Sequence, residues 1–375
     1  MLTGIQEIDQ ETLMQMLRFY IKNGGNLMTF GPAGIGKTEM AMQACEAEEY
    51  EYIYLNLSVL EAPDLNGLPM IDESGDVPVS RYAPPAQFPV AGKSTGKKKI
   101  LLVDEADKAK PELQNPMLEL FQFRSINGTK LDIHAVVATG NLPDENAFSQ
   151  PMSHALMNRC GVYRVTHAYD PWQDWAVAAS VNPLVVGFLS SNPEFLLQPP
   201  PEGDDTAYCH PSPRAWTLSA RDIDAAPDAD VNFQTLLVAA RVGQPAAVKF
   251  RVWLEHYRFV EPMIRALVDE GKHPSLSNST LDRIFVCAIS GVEAIVRECR
   301  KTPTDPKAKE EQAKRVRKVT ENVMNWIKDL PSEIQIGALK STLTMKMIQE
   351  NSLTTVKPFM DAYVKIRKVM KPDGK

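Results

Sequence analysis

Apolar residues recur at Leu13, Met16, Leu17 and Tyr20, spacings of three and four that predict an amphipathic helix over residues 9–21. Asn23-Gly24-Gly25 closes it. A short strand-like run follows at residues 26–30, then a glycine-rich turn, then a second helix over residues 37–48, rich in Ala, Met and Glu. Residues 52–57, 100–103 and 133–138 are further apolar runs without alternation. Continuous rather than alternating hydrophobicity suits strands covered on both faces, so these segments predict a parallel sheet flanked by helices, an α/β fold.

The remaining chain departs from this rhythm in three places. Residues 61–99 are rich in Pro and Gly and end in Lys97-Lys98-Lys99, too long for a plain crossover, and predict an insertion with its own role. Asn127-Gly128 between apolar residues predicts a β-hairpin just before the strand at 133–138. After about Val165 the texture becomes helical runs broken by Pro-rich stretches, which marks a second domain. Residues 246–270 and 278–300 carry apolar residues at helical spacing. The mixed-charge stretch 301–318 reads as a solvated helix or linker rather than a binding patch. The expected domains are 1–165, 166–270 and 271–375.

Composition narrows the class without naming a function. With 44% hydrophobic and 23% charged residues among 375, there is apolar material for real cores, so disorder along the whole chain is excluded. A formal net charge of -6 gives no global pull towards nucleic acid or anionic membrane. Cys45, Cys160, Cys209, Cys287 and Cys299 are scattered and lack a C-x-x-C pair, which fits a reducing cytoplasmic setting rather than a disulfide framework. Cys209-His210 is the one adjacent pair of soft ligands and reads as loop. Residues 1–10 have no apolar leader core, and no apolar run is long enough to span a bilayer, so the expectation is a cytoplasmic protein without a membrane anchor.

Chemistry concentrates at three strand ends. Gly31-Pro32-Ala33-Gly34-Ile35-Gly36-Lys37-Thr38 matches the phosphate-binding loop in full, between a predicted strand and a predicted helix. Glycines let backbone N–H groups close around a phosphate chain, and the helix N-terminus adds its positive end. Lys37 is placed to reach the β- and γ-phosphates of ATP, and Thr38 to offer its hydroxyl to Mg2+. Ile100-Leu101-Leu102-Val103 ends in Asp104-Glu105, carboxylates at the carboxyl end of a buried strand; Asp104 suits the magnesium shell and Glu105 the activation of water. Asn141 follows the strand ending at Thr139 and is placed to orient that water, although Asn141-Leu142-Pro143-Asp144 taken alone reads as a turn. Arg159, after a segment rich in Met and Leu, reads either as a finger for a neighbouring subunit's γ-phosphate or as a surface ion pair.

The order of these motifs resembles the AAA+ ATPases and, among them, the MoxR-like group. Gly31 to Thr38 looks like the Walker A element, Ile100 to Glu105 like Walker B and Ala138-Thr139-Gly140-Asn141 like the first sensor. Asn158-Arg159-Cys160 stands where that group carries its Asp-Arg-Phe finger site, with Asn and Cys as departures, and Arg164 is the rival. Ser212-Pro213-Arg214-Ala215 is similar to the second-sensor motif, which makes Arg214 the lid arginine. The resemblance covers residues 10–220. It implies an AAA+ core with an α-helical lid and a helical C-terminal region, Mg2+-dependent ATP hydrolysis, a homo-oligomeric, hexameric ring, and a protein client, often one with a von Willebrand factor A domain. It also makes Tyr82, Phe88 and Phe123 candidates for facing a ring pore, with core packing the alternative for each. A DNA-linked translocase is the other functional expectation, for which Lys97 to Lys99 and the hairpin leave room.

Overall fold

The computed structural model describes residues 4–93, 99–141, 152–198, 209–276, 279–301, 305–340, 351 and 353–370. The chain divides into two compact units, Met1–Ala168 and Tyr169–Lys375.

The first unit is built on a six-stranded parallel sheet. Along the chain come β1 (Gln6–Ile8), helix α1 (Gln10–Asn23), β2 (Asn26–Phe30), α2 (Lys37–Ala47), β3 (Glu51–Asn56), α3 (Ala62–Asn66), and the strands β4 (Leu68–Asp72) and β5 (Val79–Ala83). There follow β6 (Lys99–Asp104), α4 (Pro111–Phe123), β7 (Ser125–Ile126), β8 (Thr129–Lys130), β9 (Ile133–Gly140), α5 (His154–Met157) and β10 (Gly161–Val165). The sheet order is β1-β10-β2-β9-β6-β3, every pair parallel. Burial follows the order. Leu27, Met28, Phe30, Leu101, Val103, Val136 and Ala138 on the central strands are almost fully covered, whereas edge strand β3 keeps Tyr54 exposed. The expected runs are thus the central strands β2, β9 and β6 and the edge strand β3, and the two that periodicity does not announce are short β1 and half-buried β10.

Local chemistry sets the ends of these elements. Asp9 caps α1 by accepting from the Thr12 N–H at 2.8 Å, and Gly24 at φ +70° ends it. The expected hairpin is β7–β8. Asn127 and Gly128 both have positive φ, as a two-residue hairpin turn requires, and the Glu119 carboxylate accepts from both of their N–H groups at 3.0 Å. The expected insertion folds as α3 and an antiparallel β4–β5 ribbon. Gly67 joins them where a Cβ would lie 1.9 Å from the Ala83 carbonyl oxygen, so no larger residue fits. That ribbon leaves Leu68, Met70, Ile71, Val79 and Tyr82 exposed. Lys97 and Lys98 lie outside the described residues.

The second unit comprises α6 (Tyr169–Ala178), α7 (Pro183–Ser191), α8 (Pro213–Ala225), α9 (Val231–Val242), α10 (Gln244–Glu270), α11 (Leu281–Arg300), α12 (Pro306–Ile327), α13 (Ser332–Lys340) and α14 (Lys357–Met370). Its core gathers around Phe188, whose ring lies 5.2 Å from Trp216 and 5.4 Å from Phe250 between centroids, and continues to Ala362. Residues 169–270 and 271–375 share this core, since α10 packs on both α11 and α12. A division at 270/271, expected from the sequence, therefore does not coincide with a break in packing. Within the mixed-charge stretch, α12 exposes Lys314 paired with Glu310 at 2.6 Å and turns Val316, Val319 and Val323 inward. Cys209 donates its thiol to the Ala240 carbonyl at 3.1 Å. No helix among the described residues is long and apolar enough to cross a membrane.

Glu293 on α11 is 5% exposed and accepts from Gln173 Nε2 at 3.1 Å. Burial pushes its carboxyl up to about 7; the Gln173 hydrogen bond and the nearby Arg297 charge pull the other way without offsetting it. The folded state therefore holds a proton that the unfolded chain releases near 4.5, and stability falls as pH rises from about 4.5 to about 7. Glu293→Gln removes that loss. The variant should melt close to wild type at pH 4.5 and above it at pH 8, by at most about 3 kcal/mol. Thermal midpoints at the two pH values check this, and a pH-independent difference would contradict it.

Candidate active site at the carboxyl ends of the parallel strands

Three adjacent strands, β2, β9 and β6, deliver their chemistry at one edge of the sheet. The phosphate loop leaves β2 after Phe30 and enters α2 at Lys37, with Gly36 as the helix cap at φ +96°. Gly34 is also left-handed, at φ +79°. Gly31 is fixed by approach: a Cβ there would lie 2.5 Å from the carbonyl oxygen of Val165, the last residue of β10. Ile35 is buried as the loop's apolar anchor. Gln10, the first residue of α1, donates to the Ile35 carbonyl at 3.2 Å and accepts from Ala168 N at 3.3 Å, so it braces the loop from below.

The charged groups meet across this edge. Lys37 Nζ donates to the Gly31 carbonyl at 2.6 Å, the Pro32 carbonyl at 2.9 Å and Asn141 Oδ1 at 3.3 Å. Thr38 donates its hydroxyl to Asp104 Oδ1 at 2.9 Å, and the Thr139 hydroxyl donates to the same oxygen. The Glu105 N–H adds a third donor to Oδ1 at 3.0 Å, while Tyr54 donates to Oδ2 at 2.8 Å. Burial raises the Asp104 carboxyl, but the hydrogen bonds from Thr139, Tyr54, Thr38 and Glu105 outweigh it and hold Asp104 below the ordinary carboxylate range. It is an anion across the physiological range. Glu105 is left-handed at φ +55°, and its Oε2 sits 2.6 Å from Lys108 Nζ in an ion pair without hydrogen-bond alignment. Asn141 is buried and its N–H donates to Asp107 Oδ1 at 2.9 Å. Gly140 makes room for this, since a Cβ there would lie 2.8 Å from the same oxygen.

The donor set suits a metal-bound nucleotide. A hydroxyl and an ionised carboxylate are hard oxygen ligands of the kind Mg2+ takes. A Cβ at Gly36 would have no heavy atom within 4 Å, which leaves its face of the loop open for phosphate oxygens.

Of the expected site residues, the structure brings together Gly31 to Thr38, Asp104, Glu105 and Asn141. Arg159 lies elsewhere. Its carbonyl accepts from Asn26 Nδ2 at 2.8 Å at the start of β2, the opposite edge of the sheet from the loop. Its guanidinium donates to Gln122 Oε1 at 2.9 and 2.7 Å and to the Ala155 carbonyl at 2.5 Å. Arg164 pairs in register with Phe30 and lies 3.7 Å from Glu7. Arg214 is exposed in the first turn of α8, which Ser212 caps by accepting from Ala215 N at 3.2 Å. Tyr82 and Phe123 are exposed, the latter facing the Lys130 ammonium at 5.7 Å, whereas Phe88 is 4% exposed and is a core residue. Of the two roles open to it, Phe88 takes packing.

Sequence reasoning passed over Gln10, Tyr54 and Asp107, and gave Thr139 no role. Asp107 had a signal, an acid three residues beyond Asp104. Tyr54 had a weaker one: it shares a strand face with Asn56, the register partner of Asp104.

Comparison with known proteins bears on this unit. Residues 26–160 match the AAA domain of the dynein-related subfamily. Two small subunits of replication factor C from Pyrobaculum islandicum, subunits 1 and 2, are each 29% identical over 122 residues, or 32% of this chain. The match spans 34–35% of those relatives, about a third of their length. Among solved structures, a RuvB mutant from Thermotoga maritima aligns over 71% of this chain and 79% of its own at 12% identity, with a TM-score of 0.36. NtrX from Brucella abortus aligns over 96% and 68% at 15% identity, with a TM-score of 0.33. The domain match falls on the segment that holds β2, the phosphate loop, Asp104 and Asn141, and that segment is similar to AAA domains.

Proposed function

We propose that this chain is an ATP-hydrolysing, ring-forming motor of the MoxR-like kind that remodels or activates protein partners. One observation carries the reading: at the carboxyl edge of the sheet Lys37 is hydrogen-bonded to Asn141, and Thr38 to Asp104 with Thr139 bonded to both. The loop N–H groups and Lys37 hold the phosphates, and Thr38 and Asp104 hold Mg2+. Bound Mg2+ supplies charge neutralisation on the β- and γ-phosphate oxygens. Glu105 accepts the proton of the attacking water once it turns from Lys108, and Asn141 fixes the direction of attack. Arg214 serves as the lid arginine.

Arg159 acts in trans. Five residues of β2 separate it from its own loop, roughly 16 Å at strand rise, so its guanidinium suits a neighbouring subunit's nucleotide. Ring closure, as a hexamer, follows from that need for a second subunit. The exposed apolar β4–β5 ribbon supports contact with another macromolecule, and a von Willebrand factor A domain protein is the partner class proposed. Similarity to replication factor C small subunits supports a second reading, a DNA-linked motor. The two separate on whether duplex or single-stranded DNA raises the ATPase rate by about tenfold or more.

Glu105→Gln keeps the shape and the Asp104 shell but removes the base. ATP binding should persist while hydrolysis falls by about two to four decades; lost binding with an intact fold would contradict the assignment. Arg159→Ala and Lys37→Ala should each be inactive alone, the first for want of a finger, with a loss on the order of 10³. Mixed together they should regain turnover, because some interfaces then combine a sound finger with a sound loop. Mixed rings that form yet hydrolyse no more than the sum of their parts would exclude a shared site.

A further inference from the structure

We infer that Tyr54 is a positioning residue that fixes the Asp104 carboxylate for metal-dependent nucleotide binding; the inference rests on the nucleotide-site reading above. Tyr54 belongs to edge strand β3, where Asn56 is the register partner of Asp104 and Tyr54 lies two residues earlier on the same face. The residue is 43% exposed, and its hydroxyl is nonetheless directed at Asp104 Oδ2.

The division of labour on Asp104 gives that bond its weight. Oδ1 accepts from Thr38, Thr139 and the Glu105 N–H. Oδ2 accepts from Tyr54, which comes from a different strand and the opposite side of the group. A carboxylate held by only one oxygen can swing about its terminal torsion, whose wells are broad. Held by both, its plane is set. The Thr38 hydroxyl can offer a lone pair to a metal ion while its proton stays on Oδ1, so the donors on Oδ1 and the Tyr54 bond on Oδ2 together would hold the carboxylate in one orientation beside that ion. Tyr54 touches neither phosphate nor reacting atoms in this role. It acts through Asp104.

The test is Tyr54→Phe in the full chain, which keeps the ring and removes the hydroxyl. Binding of a fluorescent N-methylanthraniloyl-ADP is titrated with Mg2+ and, separately, in a chelator. The Mg2+ concentration for half-saturation should rise about 3- to 10-fold, the loss of one hydrogen bond to a charged group at a partly exposed site. Affinity in the chelator should stay within about twofold of wild type. In an Asp104→Asn background the same substitution should add nothing, since the bond has no charged acceptor left to orient. An unchanged Mg2+ requirement overturns the inference, as does equal weakening with and without metal, which would mark Tyr54 as mere support for β3. Failure of the wild-type chain itself to bind the nucleotide in a Mg2+-dependent way is a separate result, and it would overturn the ATPase reading rather than the role of Tyr54.

Discussion

One carboxylate, Asp104, joins three strands of the sheet. Thr38 reaches it from the helix that follows β2, Thr139 from β9 and Tyr54 from β3, while Asp104 itself ends β6. Burial alone would drive this group towards its neutral form. The converging donors keep it an anion, and an anion is what a divalent ion requires. The parallel sheet is the condition for this arrangement, because only parallel strands end on the same edge and lay their following loops side by side.

The same edge explains features that look unrelated in sequence. Gly31 admits the close passage of Val165, and Gly140 admits Asp107 against the backbone of Asn141. Gln10 reaches the loop from α1. A side chain at either glycine would force the loop or the Asn141 segment outward. Lys37, drawn in by the carbonyls of Gly31 and Pro32 and by Asn141, keeps its ammonium over the loop. The positive charge is therefore already gathered at the edge where phosphate oxygens would be received, which limits the ordering that binding must impose.

Much of the unit was legible because its signals are local. Buried parallel strands write themselves as unbroken apolar runs, as in Ile100 to Val103, and the phosphate loop is a contiguous motif whose glycines have conformational reasons. Asn127-Gly128 declared its hairpin through the positive φ that both positions take. Other parts depend on distance in sequence. β1 and β10 are short or half-polar and become strands by pairing with each other and with β2. α4 carries Pro116 within it, which weakens its helical signature. Tyr54 and Asp104 are fifty residues apart and meet through register alone, and Phe88 goes to the core although its neighbourhood is an exposed insertion. In the second unit, helical periodicity was visible, but nothing local revealed that 169–270 and 271–375 share one core.

The proposed activity depends on this edge of the sheet taking a metal-bound nucleotide. Calorimetric titration of the full chain with ATP, once with Mg2+ and once with chelator, tests it without assuming a client, a ring size or a rate. Saturable binding at about one nucleotide per chain, markedly tighter with Mg2+ than without, is the expected result. Absence of saturable binding at millimolar ATP, or equal affinity with metal and with chelator, would contradict it.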